Sequence, residues 1–173
     1  IPGIAAVRQA RKAIDDLGKR GEITLIYAGG IRNGADVAKA IALGADAIAI
    51  GHSAMMALNC NKDIPEANYP VEIGAEPGHC YHCHTGRCPV GIATQDEALR
   101  KRLDPDDAAE RVYNFLHTLT IEAQLFARAC GKTNIHSLEP EDLAALTMEA
   151  SAMAGVPLAG TNHTVGVENY HQL

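Results

Sequence analysis

The sequence predicts an α/β fold built on a parallel sheet, and three observations carry that reading. Short apolar runs rich in β-formers alternate with amphipathic helical segments within the first sixty residues. The joins between them are only a few residues long. Each run ends in bare glycines, as strand-to-helix turns do. Residues 4–20, "IAAVRQARKAIDDLGKR", place Ile4, Val7, Ala10, Arg11, Ile14 and Leu17 on helical spacing, with Gly18 and Gly21 as stops. "ITLIYAGG" (23–30) and "ADAIAIG" (45–51) read as buried strands of the parallel kind. Between them "NGADVAKAIALG" (33–44) is a helix with Asn33 as cap, Val37, Ala40 and Ile41 as apolar face, and Gly44 as stop. "HSAMMALN" opens a further helix.

Beyond Cys60 the periodicity is lost. "NKDIPEANYPVEIGAEPGH" holds three prolines, two glycines and four acids, an excursion of the kind that compact domains reserve for function. From Asp96 the chain reads as helix again. One helix opens at Pro105-Asp106-Asp107 and closes on Gly131; a second runs from Ser137, Leu138 and Pro140 to Gly155. The tail from Val156 to Leu173 reads as irregular, and no internal repeat is visible.

Composition narrows the function classes. Hydrophobic residues make up 47%, aromatics only 4%, and the formal net charge is −6, so the chain lacks the basic footprint of a nucleic-acid binder. No stretch approaches the roughly 18 apolar residues of a membrane span, and no secretory leader is in view. Five cysteines, an odd number, with three of them crowded together, argue against a secreted disulfide framework and for a reducing cytoplasm.

Two stretches carry chemistry. Strand ends at Gly29-Gly30 and Gly51-His52-Ser53, each leading toward a helix N-terminus, expose backbone N–H groups suited to an anion. In a (β/α)8 barrel, this pairing is the phosphate site after strands seven and eight. Arg32 is a candidate for extra charge on the phosphate. The pattern leaves open flavin mononucleotide (FMN), a nucleotide substrate or a sugar phosphate. The second stretch, "CYHCHTGRCPVGIATQ" (80–95), gathers Cys80, Cys83 and Cys88 with His82 and His84. Four chemistries compete for it. Zinc needs four ligands, which His82, His84 or Cys60 would complete. A redox dithiol wants its Cys-x-x-Cys at a helix N-terminus. A disulfide suits the wrong compartment. Iron–sulfur ligation suits converging thiolates closed by a Cys-Pro turn, here Cys88-Pro89. His79, His82 and His84 are expected beside the thiolates, tuning them by hydrogen bonds.

"CHTGRCPVGIATQD" (83–96) resembles the cluster segment of the glutamate synthase family's synthase domain. "IPGIAAVRQARKAI" and "DEALRKRLD" are similar to the segments flanking that domain's FMN phosphate site and cluster. The resemblance covers residues 1 to about 130. It implies the C-terminal part of a (β/α)8 TIM barrel with an iron–sulfur loop and a helical C-terminal extension. The corresponding divisions are 1–59 for the last β/α units, 60–95 for the insertion and cluster loop, and 96–173 for the extension. It implies FMN held by Gly29, Gly30, Arg32, Gly51, His52 and Ser53. It also implies an oxidoreductase that reduces 2-iminoglutarate, formed from 2-oxoglutarate and ammonia, to glutamate, with amidotransferase-like and electron-donor partners. The substrate contacts would lie on earlier strands, so no catalytic residue is named. The family's first cluster cysteine would fall on Pro77; Cys60 and Cys80 are the candidates to replace it beside Cys83 and Cys88. With all four available, [3Fe–4S] and [4Fe–4S] both remain open. The segment after Cys130 is similar to the end of separate FMN-binding subunits such as the large subunit of N-methylglutamate synthase. Outside the family reading stand a zinc-stapled phosphate-binding module and a flavin-free nucleotide-converting barrel. Cys130, Met55, Met56, Met148 and Met153 read as core packing, and His117, His136, His163 and His171 as residues without a site.

Overall fold

The computed structural model describes residues 1–74 and 80–166. His79, His171 and Pro77 lie outside the described residues. The chain is mixed α/β and about half helical, as the alternation predicts. It forms two compact units, one of residues 1–50 and 118–173, the other of residues 51–117.

The first unit begins with α1 (Gly3–Asp16), which buries Ala5, Val7, Arg11 and Ile14. The helix stops before Leu17, which is 71% exposed rather than part of the apolar face. Gly18, at φ 65°, turns the chain away, as a left-handed residue does more readily without a side chain. β1 (Ile26–Ala28) and β2 (Ala47–Ala49) pair in parallel, with Tyr27 opposite Ile48. Their direction is as expected, but their burial is not: both strands are half-exposed, and Ile26 is 59% exposed. A parallel strand is buried only when neighbours cover both faces and both edges, and among the described residues this sheet has two strands.

α2 (Gly34–Ala42) lies between the strands. Asn33 caps it by accepting from the Asp36 N–H, and its buried residues include Val37, Ala40 and Ile41. Gly34 presses against residues 119–123: a Cβ there would come 2.6 Å from the Leu119 carbonyl oxygen and from Glu122 Cβ. The Gly34 N–H donates instead to Glu122 at 2.6 Å. Arg11 is 3% exposed and fastens α1 to the α2–β2 turn. Its Nε donates to the Gly44 carbonyl at 2.7 Å and its Nη2 to Asp46 at 2.6 Å, while Asp46 also accepts the Leu25 N–H.

α4 (Glu97–Arg100) and α5 (Pro105–Ala129) follow the cysteine segment, and α5 runs through residues of both units. The helix expected over 137–155 is only partly present. A capping box between Glu139 and Asp142 closes a single tight turn. Ala145 then pairs with the strand-like segment at Pro157–Ala159, which takes its backbone out of any helix. The helix restarts as α6 (Met148–Ala154) only at a fresh cap, Thr147. α6 packs on α1, where Arg8 Nε donates to the Ala154 carbonyl at 2.9 Å. Buried Ser151 ties the described part of the tail through Val156 and Val165. Cys130 is exposed, not a core thiol, because it falls one residue beyond α5, on the turn that ends at Gly131. Met148 and Met56 are likewise exposed, at 63% and 43%: Met148 opens α6 next to its cap, and Met56 lies on a helix with no buried residue. No described helix is long and apolar enough to cross a membrane.

Candidate functional site

In the first unit, Gly29 and Gly30 leave β1 with φ of 119° and 70°, a backbone that side chains rarely adopt. A Cβ on either would meet nothing within 4 Å, so their peptide groups are open to approach. They line a cavity of about 190 Å³ together with Tyr27, Asp36 and Lys39. Asp36 faces two cations: Lys39 Nζ lies 3.0 Å away and Arg32 Nε 3.3 Å away. Burial alone would raise its carboxyl; Lys39, the Arg32 N–H and the Arg32 guanidinium outweigh that and hold it below the usual carboxylate range. These two cations are matched by two carboxylates, Asp36 and the Glu122 that accepts the Gly34 N–H.

Gly51, His52 and Ser53 belong to the second unit. They open α3 (His52–Ala57), and a Cβ on Gly51 would also meet open space. α3 ends in a Schellman motif. The Asn59 N–H donates to the Met56 carbonyl at 2.9 Å and the Cys60 N–H to the Met55 carbonyl at 3.1 Å. Asn59, at φ 69°, is the one non-glycine residue with positive φ among those described. Cys60 is thereby fixed at the exit of α3.

The structure brings Cys60, Cys80, Cys83 and Cys88 to one cavity of about 240 Å³, shared with His52, Met56, Lys62 and Tyr69. Cys88 is buried, Cys60 and Cys80 are half-buried, and Cys83 is exposed. Burial pushes the Cys60 thiol up, and the neighbouring Cys83, Cys88 and Cys80 push it further. Among the described residues, no three His, Cys, Asp or Glu side chains close on a point where one ion would sit.

The walls explain how the motif folds. A single tight turn over Cys83–Thr85 ends at Gly86 in the left-handed region. Thr85 and Thr94 fasten it through the His82 and Gly86 carbonyls. Gly91 passes so close to α4 that a Cβ would lie 3.4 Å from the Arg100 carbonyl oxygen and closer still to that of Leu99. Arg102 Nη1 donates to the Pro89 carbonyl at 2.8 Å and the Asn68 carbonyl at 3.2 Å, while Lys62 Nζ donates to the Arg102 carbonyl at 2.6 Å. Lys62 and Arg102 escaped the reading of the sequence; their only signal there is basic side chains flanking the cysteine stretch of an acidic chain. His82 and His84 have ring centres 6.1 Å apart beside Cys83. His117 stacks on Tyr113 at 5.6 Å, and His136 and His163 lie on the surface.

The model of the conserved region in glutamate synthase matches residues 1–65 and 71–133, which include both strand ends, Gly29-Gly30 and Gly51-His52-Ser53, and all four cavity cysteines. The chain belongs to the glutamate synthase family. A glutamate synthase large subunit-like protein of Rhizobium meliloti is 53% identical over 94% of the chain and 36% of its own length. An archaeal glutamate synthase [NADPH] of Methanocaldococcus jannaschii is 42% identical over 80% of the chain and 24% of its own. An archaeal-type glutamate synthase [NADPH] of Dehalococcoides mccartyi is 36% identical over 92% and 29%. The chain thus spans about a third or less of these relatives. No solved structure matches.

Proposed function

We propose that the chain is the C-terminal part of an FMN- and iron–sulfur-dependent barrel of glutamate synthase type, an oxidoreductase that reduces 2-iminoglutarate to glutamate. The observation that carries this is the convergence of four cysteines on one cavity in a glutamate synthase family member. A single zinc ion, with Zn–S of about 2.3 Å, would draw its sulfurs to within ~3.8 Å of each other. Thiols spaced around a cavity several times the ~30 Å³ of one water suit a cluster, in which each sulfur binds a different iron.

Gly29, Gly30, Gly51, His52 and Ser53 would hold the FMN phosphate through backbone N–H groups, with Arg32 adding charge. Cys83 and Cys88, with Cys80, Cys60 or both, would hold the cluster. Bound there, the two groups supply a hydride donor and a one-electron relay. The six residues of α3 span about 9 Å, and they join the His52 end to the Cys60 end. Glutamine-derived ammonia, 2-oxoglutarate and an electron donor would be handled by partners or by other parts of the protein, in a cytoplasmic setting.

A second reading has its own support. The large subunit-like relative is 53% identical to the chain, against 42% and 36% for the archaeal and archaeal-type proteins. A separate FMN-binding subunit, of the kind found in N-methylglutamate synthase, would fit that. Assaying the full-length protein with 2-oxoglutarate, ammonia or methylamine, and a chemical reductant separates the two. Glutamate from ammonia supports the first reading and N-methylglutamate from methylamine the second; neither product, from a flavin-free protein, refutes both.

A further inference from the structure

Three thiols of the cavity sit on one short loop, within nine residues of each other. The fourth, Cys60, comes from a different element, and its place there is built. The Schellman end of α3 uses a left-handed asparagine to deliver it, where glycine is the usual residue. Lys62, two residues on, donates to the Arg102 carbonyl, and Arg102 donates to the carbonyl of Pro89, which follows Cys88. The segments carrying Cys60 and Cys88 are therefore stapled together through one arginine, which lies forty residues beyond Lys62. A three-iron cluster needs only three thiolates, and the loop already offers Cys80, Cys83 and Cys88.

We propose that Cys60 is the fourth thiolate, so that the cavity holds a closed [4Fe–4S] cluster and not a three-iron one. This rests on the iron–sulfur reading above. Each of the four thiols gives up its proton and forms one bond to one iron, leaving no iron corner without a cysteine. Cys80 is then a ligand as well, and neither Cys60 nor Cys80 substitutes for the other.

The test is iron analysis and electron paramagnetic resonance on the full-length protein prepared without oxygen, as wild type and as Cys60→Ala and Cys60→Ser. We expect about four irons per chain in the wild type, with no signal in the oxidised state. Cys60→Ala is expected to give about three irons and the paramagnetic oxidised signal of a three-iron cluster. A wild type that already shows that signal overturns the proposal, whether or not Cys60→Ala changes it. So does a four-iron cluster that survives both substitutions intact. Absence of iron from the wild type overturns the iron–sulfur reading itself, a result distinct from either. Should Cys60→Ala fail to accumulate, Cys60→Ser and the wild-type spectrum still decide the matter.

Discussion

Replacing Gly30 with Asp tests the phosphate cradle without first destroying the fold. The side chain would project into open space, since a Cβ there meets nothing within 4 Å. The backbone at φ 70° would charge it about 1 kcal/mol, which Asp tolerates better than most residues. The larger effect falls on the ligand. A carboxylate about 5 Å from one phosphate charge, at an effective dielectric of about 20, repels it by about 3 kcal/mol. That corresponds to roughly two orders of magnitude in Kd. Gly30→Asn carries the same φ cost and nearly the same shape without the charge, so it isolates the electrostatic part. FMN titration of the flavin-stripped full-length protein should show the Asp variant weakened at least ~100-fold and the Asn variant less than ~10-fold. Raised salt should narrow the gap. Equal loss in both variants would mean that shape matters and charge does not. Wild-type affinity in the Asp variant would remove Gly30 from the phosphate site.

Four further outcomes follow from the packing. Gly34→Ala should destabilise the protein by about 2 kcal/mol in urea unfolding, because the methyl meets backbone and the Gly34–Glu122 hydrogen bond opens. Thr147→Ala should cost about 1 kcal/mol by removing the α6 cap, again read from the urea midpoint. Burial opposes charge on Asp46, but the Leu25 N–H and Arg11 hold its carboxyl below the usual range. Its stabilisation is therefore complete above the unfolded value of about 3.9 and lost as pH falls through the lower folded value. Acid unfolding of Asp46→Asn should accordingly show a shallower pH dependence below about pH 4 than the wild type. Cys130→Ser should leave iron content unchanged, since Cys130 stands on an exposed turn.

What could be read from the sequence was whatever short-range chemistry fixes. α2 came out whole because Asn33 and Gly44 mark its ends and Val37, Ala40 and Ile41 its face. The parallel direction of β1 and β2 followed from the helix between them, but their exposure depends on neighbouring strands that no local pattern encodes. The 137–155 segment has helical spacing throughout, yet the backbone pairing of Ala145 with Pro157 and Ala159 outcompetes one stretch of it. Such a partner lies too far along the chain for periodicity to register. At the cysteines, spacing named the ligand candidates. Their meeting depends on Lys62 and Arg102 joining the α3 exit to the Pro89 turn, a tertiary contact with no motif of its own.

The central claim, that the cysteine cavity is an iron–sulfur site in a flavoprotein, is tested most directly by the absorption spectrum of the full-length protein purified without oxygen, beside its Cys88→Ser variant. The account predicts a flavin band on a broad iron–sulfur absorption in the wild type. In Cys88→Ser the broad absorption should fall while the flavin stays. A colourless wild type containing zinc, or an undiminished cluster in Cys88→Ser, would contradict it.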